Sequence, residues 1–236
     1  MTKEHVVLSG IDSARVRGLL FDVDGTLSNT DDQMVDRFSR ILEPVSWLFR
    51  DHSPRRFARW VIMAIETPTN IIYRLADRFG IDRPLLNFYN RLSRKRRAQK
   101  AKHDRFWIIP GIREMLESFK GRYPMAVVSA RDAETTTFFL EHFGLLSYFD
   151  AVVTAHICEH TKPFPDPVIY AADQLGLKPE ECLMIGDTIM DVYAGKSAGA
   201  QTVAVLCGFG TQRELSRAGA NLILAKTPDL EEILAG

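Results

Sequence analysis

Two aspartates stand one residue apart, Asp22 and Asp24, in "GLLFDVDGTLSNT" (Gly18–Thr30). An apolar run ends on them, and Gly-Thr follows. In an extended backbone, residues i and i+2 project the same way, so both carboxylates can share one side of a strand's end. Gly25 permits a sharp exit there. Thr26 offers a hydroxyl that can hold a neighbouring carboxylate. Ligands of open α/β sheets bind beyond the carboxyl ends of strands, so the pair stands where chemistry is usually done. Carboxylates this close resist joint ionisation unless a cation lies nearby. Oxygen-only ligands point to Mg2+. More oxygen is available in "IGDTIMD" (Ile185–Asp191), where Asp187 ends a second apolar run and Asp191 follows four residues later on the next helix.

The elements that must position these acids can be traced from Gly121 onward, where short apolar runs alternate with helical stretches. "PMAVVS", "FDAVVTA", "CLMIGD" and "QTVAVLC" are expected as strands, and "NLIL" as a short edge strand. Helices are expected over "DAETTTFFLEHFG", closed by Gly144, and over "DPVIYAADQLG", with Asp166 as N-cap and Pro167 in the first turn. "TIMDVYAGKSAGA", "TQRELSRAG" and "TPDLEEIL", the last capped by Thr227, complete the set. Continuous apolar strands alternating with helices predict an α/β fold with a Rossmann-like parallel sheet core, covered on both faces.

"GLLFDV" has the same strand character but stands about 85 residues before the next core helix, "PGIREMLESFKG". That gap is too long for a loop, so it is expected to be a domain of its own. Four apolar faces at helical spacing run through it, the first led by Phe38, Ile41 and Leu42, the last by Leu85, Phe88 and Tyr89. The division is therefore a core of residues 1–30 and 110–236, interrupted by an all-helical cap domain over 31–109. Charge supports two modules. Asp31–Ile109 holds 17 Lys+Arg and 9 Asp+Glu, against 13 and 21 in the remainder.

Formal net charge over the 236 residues is zero, so no global field favours nucleic acid or a membrane. No apolar run approaches the roughly 20 residues of a transmembrane helix, and no signal peptide is evident. Three cysteines without a close pair fit a reducing, cytoplasmic setting. His156 and His160 in "HICEH" have helical zinc spacing but the wrong order, and they follow a strand on a loop.

Four separated pieces, "DVDGT", Ser129 in "VVSAR", Lys162 in "TKPFPDP" and "GDTIMD", resemble the haloacid dehalogenase superfamily of phosphohydrolases. The nearest look is to phosphoglycolate-phosphatase-like and phosphoglucomutase-like members, whose helical cap is inserted at the same point. The resemblance implies a phosphomonoester hydrolase with Asp22 as nucleophile, forming an aspartyl-phosphate. Asp24 would protonate the leaving oxygen and then deprotonate the attacking water. Mg2+ would be held by Asp22, the backbone of Asp24 and Asp187. Thr26, Ser129, Ala130 and Arg131 would line the phosphate and substrate site, with Lys162 supplying charge. Asp191 has two readings, a metal ligand or a residue that only orients Lys162. Arg131 is equally a substrate contact or a surface arginine at a helix start.

The implied substrate is a small phosphorylated metabolite. A phosphoryl transferase or sugar-phosphate mutase on the same fold is the alternative. A binding module using the basic tract Arg91–Arg105 for nucleic acid is a weaker one, opposed by the intact acids. Oligomeric state is open, and the apolar content of the insert is enough to hide a homodimer interface.

Overall fold

A computed structural model of the chain describes residues 6–7, 10–29 and 107–234. The chain divides into two units, Met1–Thr30 with Phe106–Gly236, and Asp31–Arg105. The four helical faces expected in the insert, and the basic tract Arg91–Arg105, lie outside the described residues.

Seven strands form one sheet. They are β1 (Val6–Val7), β2 (Gly18–Phe21), β3 (Met125–Val128), β4 (Ala151–Val153), β5 (Cys182–Gly186), β6 (Gln201–Val205) and β7 (Leu222–Leu224). Their spatial order is β1-β7-β6-β5-β2-β3-β4. Every neighbouring pair is parallel except β1 with β7. Leu222–Leu224 is therefore not the edge strand that the sequence predicts, because Val6–Val7 pairs outside it. A two-residue strand carries too little periodicity to be read in advance.

The helices that follow are α1 (Ile112–Phe119), α2 (Ala133–His142), α3 (Asp166–Gln174), α4 (Ile189–Ala198), α5 (Gln212–Ala218) and α6 (Leu230–Leu234). Asp166 is the first residue of α3, with Pro165 at the N-cap. Its carboxylate is engaged elsewhere, with His160 Nδ1 3.0 Å from Oδ1. Thr227 opens a 3-10 turn, Thr227–Asp229, that leads into α6.

Strand residues alternate between two apolar clusters. Leu19, Phe21, Met125, Val127, Leu183 and Ile185 pack on one face with Ile112, Met115, Leu116 and Phe119 of α1. Leu20, Ala126, Val128, Cys182 and Met184 pack on the other with Val168, Ala171 and Ala172 of α3 and Ala194 of α4. Both faces are covered, which explains the uninterrupted apolar runs.

From β2 the chain proceeds to β3 and β4 on one side, then crosses to β5 on the other. The order thus reverses between β2 and β5, the crevice where such sheets bind ligands. Phe21 pairs with Ile185 and Val127, so the three central strands end together. Beyond β2 the Val23 carbonyl accepts from the N–H groups of Thr26, Leu27 and Ser28 at 3.3, 2.9 and 2.8 Å. Gly25, at φ 74°, makes this tight turn possible.

The chain leaves the core and returns to it at one place. Asn29 N donates to the Trp107 carbonyl at 2.7 Å, and Ile109 N donates to the Leu27 carbonyl at 3.0 Å. Ser28 and Ile108 form an antiparallel bridge between them. Trp107–Ile109, assigned to the insert from sequence, are thereby tied to the end of the Asp22–Asp24 segment.

The face under α1 should dominate stability. Phe119 is fully buried there, with its ring edge-on to Tyr123 at 5.8 Å. Phe119→Ala is expected to lower the unfolding free energy by about 3–5 kcal/mol. Urea denaturation should move the midpoint without changing the slope.

Candidate active site

Asp22 continues the alternation of β2, two residues after Leu20, and so lies on the side of α3 and α4. Its N–H donates to the Ile185 carbonyl at 2.9 Å, which extends the ladder to the site itself. Lys162 comes from the segment before α3, and Asp191 from the first turn of α4. Lys162 Nζ donates to Asp22 Oδ1 at 2.6 Å and to Asp191 Oδ1 at 2.6 Å. Asp191 Oδ2 accepts from Thr188 N at 3.0 Å and Thr188 Oγ1 at 2.6 Å, closing a capping box at the start of α4. Both oxygens of Asp191 are thus engaged.

Close approach makes this possible. A Cβ on Gly186 would fall 2.3 Å from Asp191 Cβ, so only glycine lets α4 bring Asp191 onto the end of β5. Asp187 is held from the opposite side. Phe209 N donates to its Oδ2 at 2.7 Å, and Gly210 N to its carbonyl at 3.0 Å.

Carboxylate oxygens of Asp22, Asp187 and Asp191 lie within 4.8 Å of one another, and all three residues are buried. One ammonium faces these three carboxylates. Fully ionised, the group would carry a net charge of minus two, a costly state in a buried place. Burial pushes the Asp22 carboxyl up to about 7, with Asp191 and Asp24 adding to the rise and Lys162 opposing it. Burial also works against the Lys162 ammonium, but Asp191 and Asp22 outweigh it and hold its pKa above the usual lysine range. The two directions are compatible, because Lys162 gains two anionic partners while Asp22 shares one cation. The donor set is all oxygen, and its charge deficit matches a small divalent cation such as Mg2+.

Asp24 does not join the three acids. Its two carboxylate oxygens accept from Nε and Nη2 of Arg131, a bidentate pair reaching from beyond β3. Ser129 is buried at the end of β3, and its Oγ accepts from Arg131 N at 3.1 Å. Ala130 is exposed beside them. Thr26 departs from the sequence expectation. It is fully buried, and among the described residues its Oγ1 meets no hydrogen-bond partner, so it holds no carboxylate. Its backbone does the holding instead, with Thr26 O accepting from Thr227 Oγ1 at 2.6 Å. His156 and His160 form no metal cluster among the described residues.

The family model for haloacid dehalogenase-like hydrolases matches residues 19–205. The chain belongs to that family. Among curated relatives of this hydrolase is a pyrophosphatase PpaX from Bacillus velezensis, 30% identical over 93% of this chain and 96% of its own length. A hydrolase from Pseudomonas syringae has a similar structure, with a TM-score of 0.68 and 26% identity over 93% of this chain and 98% of that one. A predicted phosphoglycolate phosphatase from Haemophilus somnus shares the fold, with a TM-score of 0.64 and 20% identity over 93% and 98% of the two chains.

The segment that supports Asp187 was not found from the sequence. A Cβ on Gly208 would lie 2.1 Å from Asp187 Oδ2, and one on Gly210 would lie 2.1 Å from the Asp187 carbonyl. The signal was "CGFG" directly after the apolar run of β6, two glycines at a strand's carboxyl end. The clasp on the turn was also missed. Cys207 Sγ donates to the Gly25 carbonyl at 3.3 Å, on the same turn that Thr227 holds.

Burial of Asp22 has a measurable consequence for stability. Its carboxyl titrates near 7 in the fold and at the ordinary 3.8 when unfolded, so between these values the folded protein binds more protons. Stability contributed by this group therefore falls as pH rises across that window. In EDTA, thermal unfolding from pH 4 to 7 should show this fall in the wild type and a flatter profile in Asp22→Asn. Equal slopes would contradict the assigned electrostatics.

Proposed function

We propose that this hydrolase is a Mg2+-dependent phosphatase acting on a small phosphorylated metabolite, with Asp22 as the group that accepts the phosphoryl. The observation that carries the proposal is the buried cluster of Asp22, Asp187 and Asp191 around Lys162, at the sheet's switch point. The relatives named pyrophosphatases support hydrolysis over phosphoryl transfer to a sugar, and make pyrophosphate a first substrate to try.

In this reading an Asp22 oxygen attacks phosphorus, the bond to the leaving oxygen breaks, and water later cleaves the aspartyl-phosphate. Lys162 keeps Asp22 oriented and adds positive charge beside the transferring oxygens. Asp191 acts through Lys162 and through the cap of α4, which favours the orienting role over metal ligation. Ser129 and the exposed Ala130 lie at the adjacent strand end and would receive phosphate oxygens. Asp24 would serve the leaving oxygen and then the attacking water. Mg2+ held by Asp22, Asp187 and the Asp24 backbone would offset the charge that otherwise keeps a carboxylate from an anionic phosphate.

The helical cap assigned to 31–109 is the part expected to choose the substrate. A cytoplasmic location fits the three free cysteines. No helix of the described residues is long and apolar enough to cross a membrane.

Phosphate release from pyrophosphate and a panel of phosphomonoesters is the direct test. With Mg2+ the wild type should turn over at least one of them. EDTA should abolish release, and Asp22→Asn should reduce kcat by about 10³-fold or more. Undiminished turnover in Asp22→Asn would remove Asp22 from the chemistry.

A further inference from the structure

The connection from β4 to α3 carries Lys162, and side chains join it on either side of that lysine. His160 Nδ1 lies 3.0 Å from Oδ1 of Asp166, the first residue of α3. A carboxylate can only accept, so the ring donates from Nδ1 in either of its charge states. The same ring packs on Phe164, with centroids 4.8 Å apart and planes tilted by 35°. Inside the closed segment, Phe164 N donates to the Thr161 carbonyl at 3.0 Å. Lys162 therefore sits within a turn, and the turn sits within a clasp.

One side of the clasp is anchored. The Pro165 carbonyl accepts from the N–H groups of Val168 and Ile169 at 3.0 and 2.9 Å, and Val168 is fully buried in the core. The other side belongs to residues 155–161, which lie in no helix or strand. The hydrogen bond from His160 ties that irregular stretch to α3.

The lysine needs such a tie. Its side chain turns about several single bonds, yet Nζ meets Asp22 and Asp191 at 2.6 Å each. A displacement of about 1 Å at a site of this kind costs up to about 10²-fold in rate. The fold itself gains little from the clasp, because His160 and Asp166 are each 33% exposed and such pairs contribute weakly to stability. We propose that His160 is a positioning residue, whose Nδ1–H on Asp166 holds the turn that aims Lys162 at Asp22 and Asp191. Its effect on turnover rests on the phosphatase reading, and its effect on Lys162 does not.

Two substitutions separate the donor from the ring. His160→Asn keeps a donor near the place of Nδ1 and gives up the ring. His160→Phe keeps the ring on Phe164 and gives up the donor. The first readout is the 15N–1H signal of the Lys162 ammonium, assigned by its loss in Lys162→Met. It should shift or broaden in His160→Phe and stay near its wild-type position in His160→Asn. The second is phosphate release from p-nitrophenyl phosphate and pyrophosphate with Mg2+. His160→Phe should lower kcat about 10-fold with KM changed less than about twofold, and His160→Asn should recover kcat to within about threefold of the wild type. Urea midpoints of the two variants should agree. The opposite order, with His160→Asn impaired and His160→Phe close to the wild type, would assign the effect to ring packing and overturn the proposal. An ammonium signal unchanged in both variants would overturn it as well. No Asp22-dependent release in the wild type, with the ammonium signal responding as stated, would overturn the phosphatase reading and leave the clasp on Lys162 standing.

Discussion

A single ammonium, Lys162 Nζ, lies 2.6 Å from Asp22 and 2.6 Å from Asp191, in a place almost closed to solvent. Much of the surrounding architecture serves this contact. β2 delivers Asp22, the segment before α3 delivers Lys162, and the first turn of α4 delivers Asp191. Like charges gathered by three separate elements would push those elements apart. One cation shared between two carboxylates offsets part of that repulsion, and Asp187 adds a third carboxylate to the group. The site is therefore stable as scaffolding but short of positive charge, which is the condition a divalent cation relieves.

Small residues set how closely these elements approach. Gly186 lets Asp191 lie over the end of β5, and Gly195 lets α4 close on Thr202 and Met184. Gly208 and Gly210 let the chain after β6 wrap Asp187. On the other side of Asp22, the turn from Val23 to Ser28 is locked to the rest of the core by Thr227 and Cys207. The same turn runs directly into the pairing of Leu27–Asn29 with Trp107–Ile109. Departure into the insert and return from it are thus mechanically joined to the segment that carries Asp22 and Asp24.

Much of this was legible in the sequence for a physical reason. Parallel strands buried on both faces read as unbroken apolar runs, and acids that end such runs stand out against them. Asp22 and Asp187 are read that way, whereas Ser129 and Lys162 are picked out by the family resemblance. What could not be read depended on distant partners. The pairing of Arg131 with Asp24 spans 107 residues, and nothing local to "SAR" announces it. Thr26 looks like a polar residue facing the acids, yet its side chain is buried and its carbonyl makes the contact. Asp166 looks like an N-cap, but His160 takes its carboxylate and the cap shifts to Pro165. In each case a tertiary contact decided what a local preference left open.

The central claim is that Asp22 and Asp187, in the buried acid cluster that Lys162 and Asp191 brace, form a site for a divalent cation. Calorimetric titration of Mg2+ into the wild type and into Asp187→Asn tests it most directly, without needing a substrate. The account predicts a single saturable site in the wild type, at least about tenfold weaker in the variant. Equal affinity in the two proteins, or no saturable binding in the wild type, would contradict it.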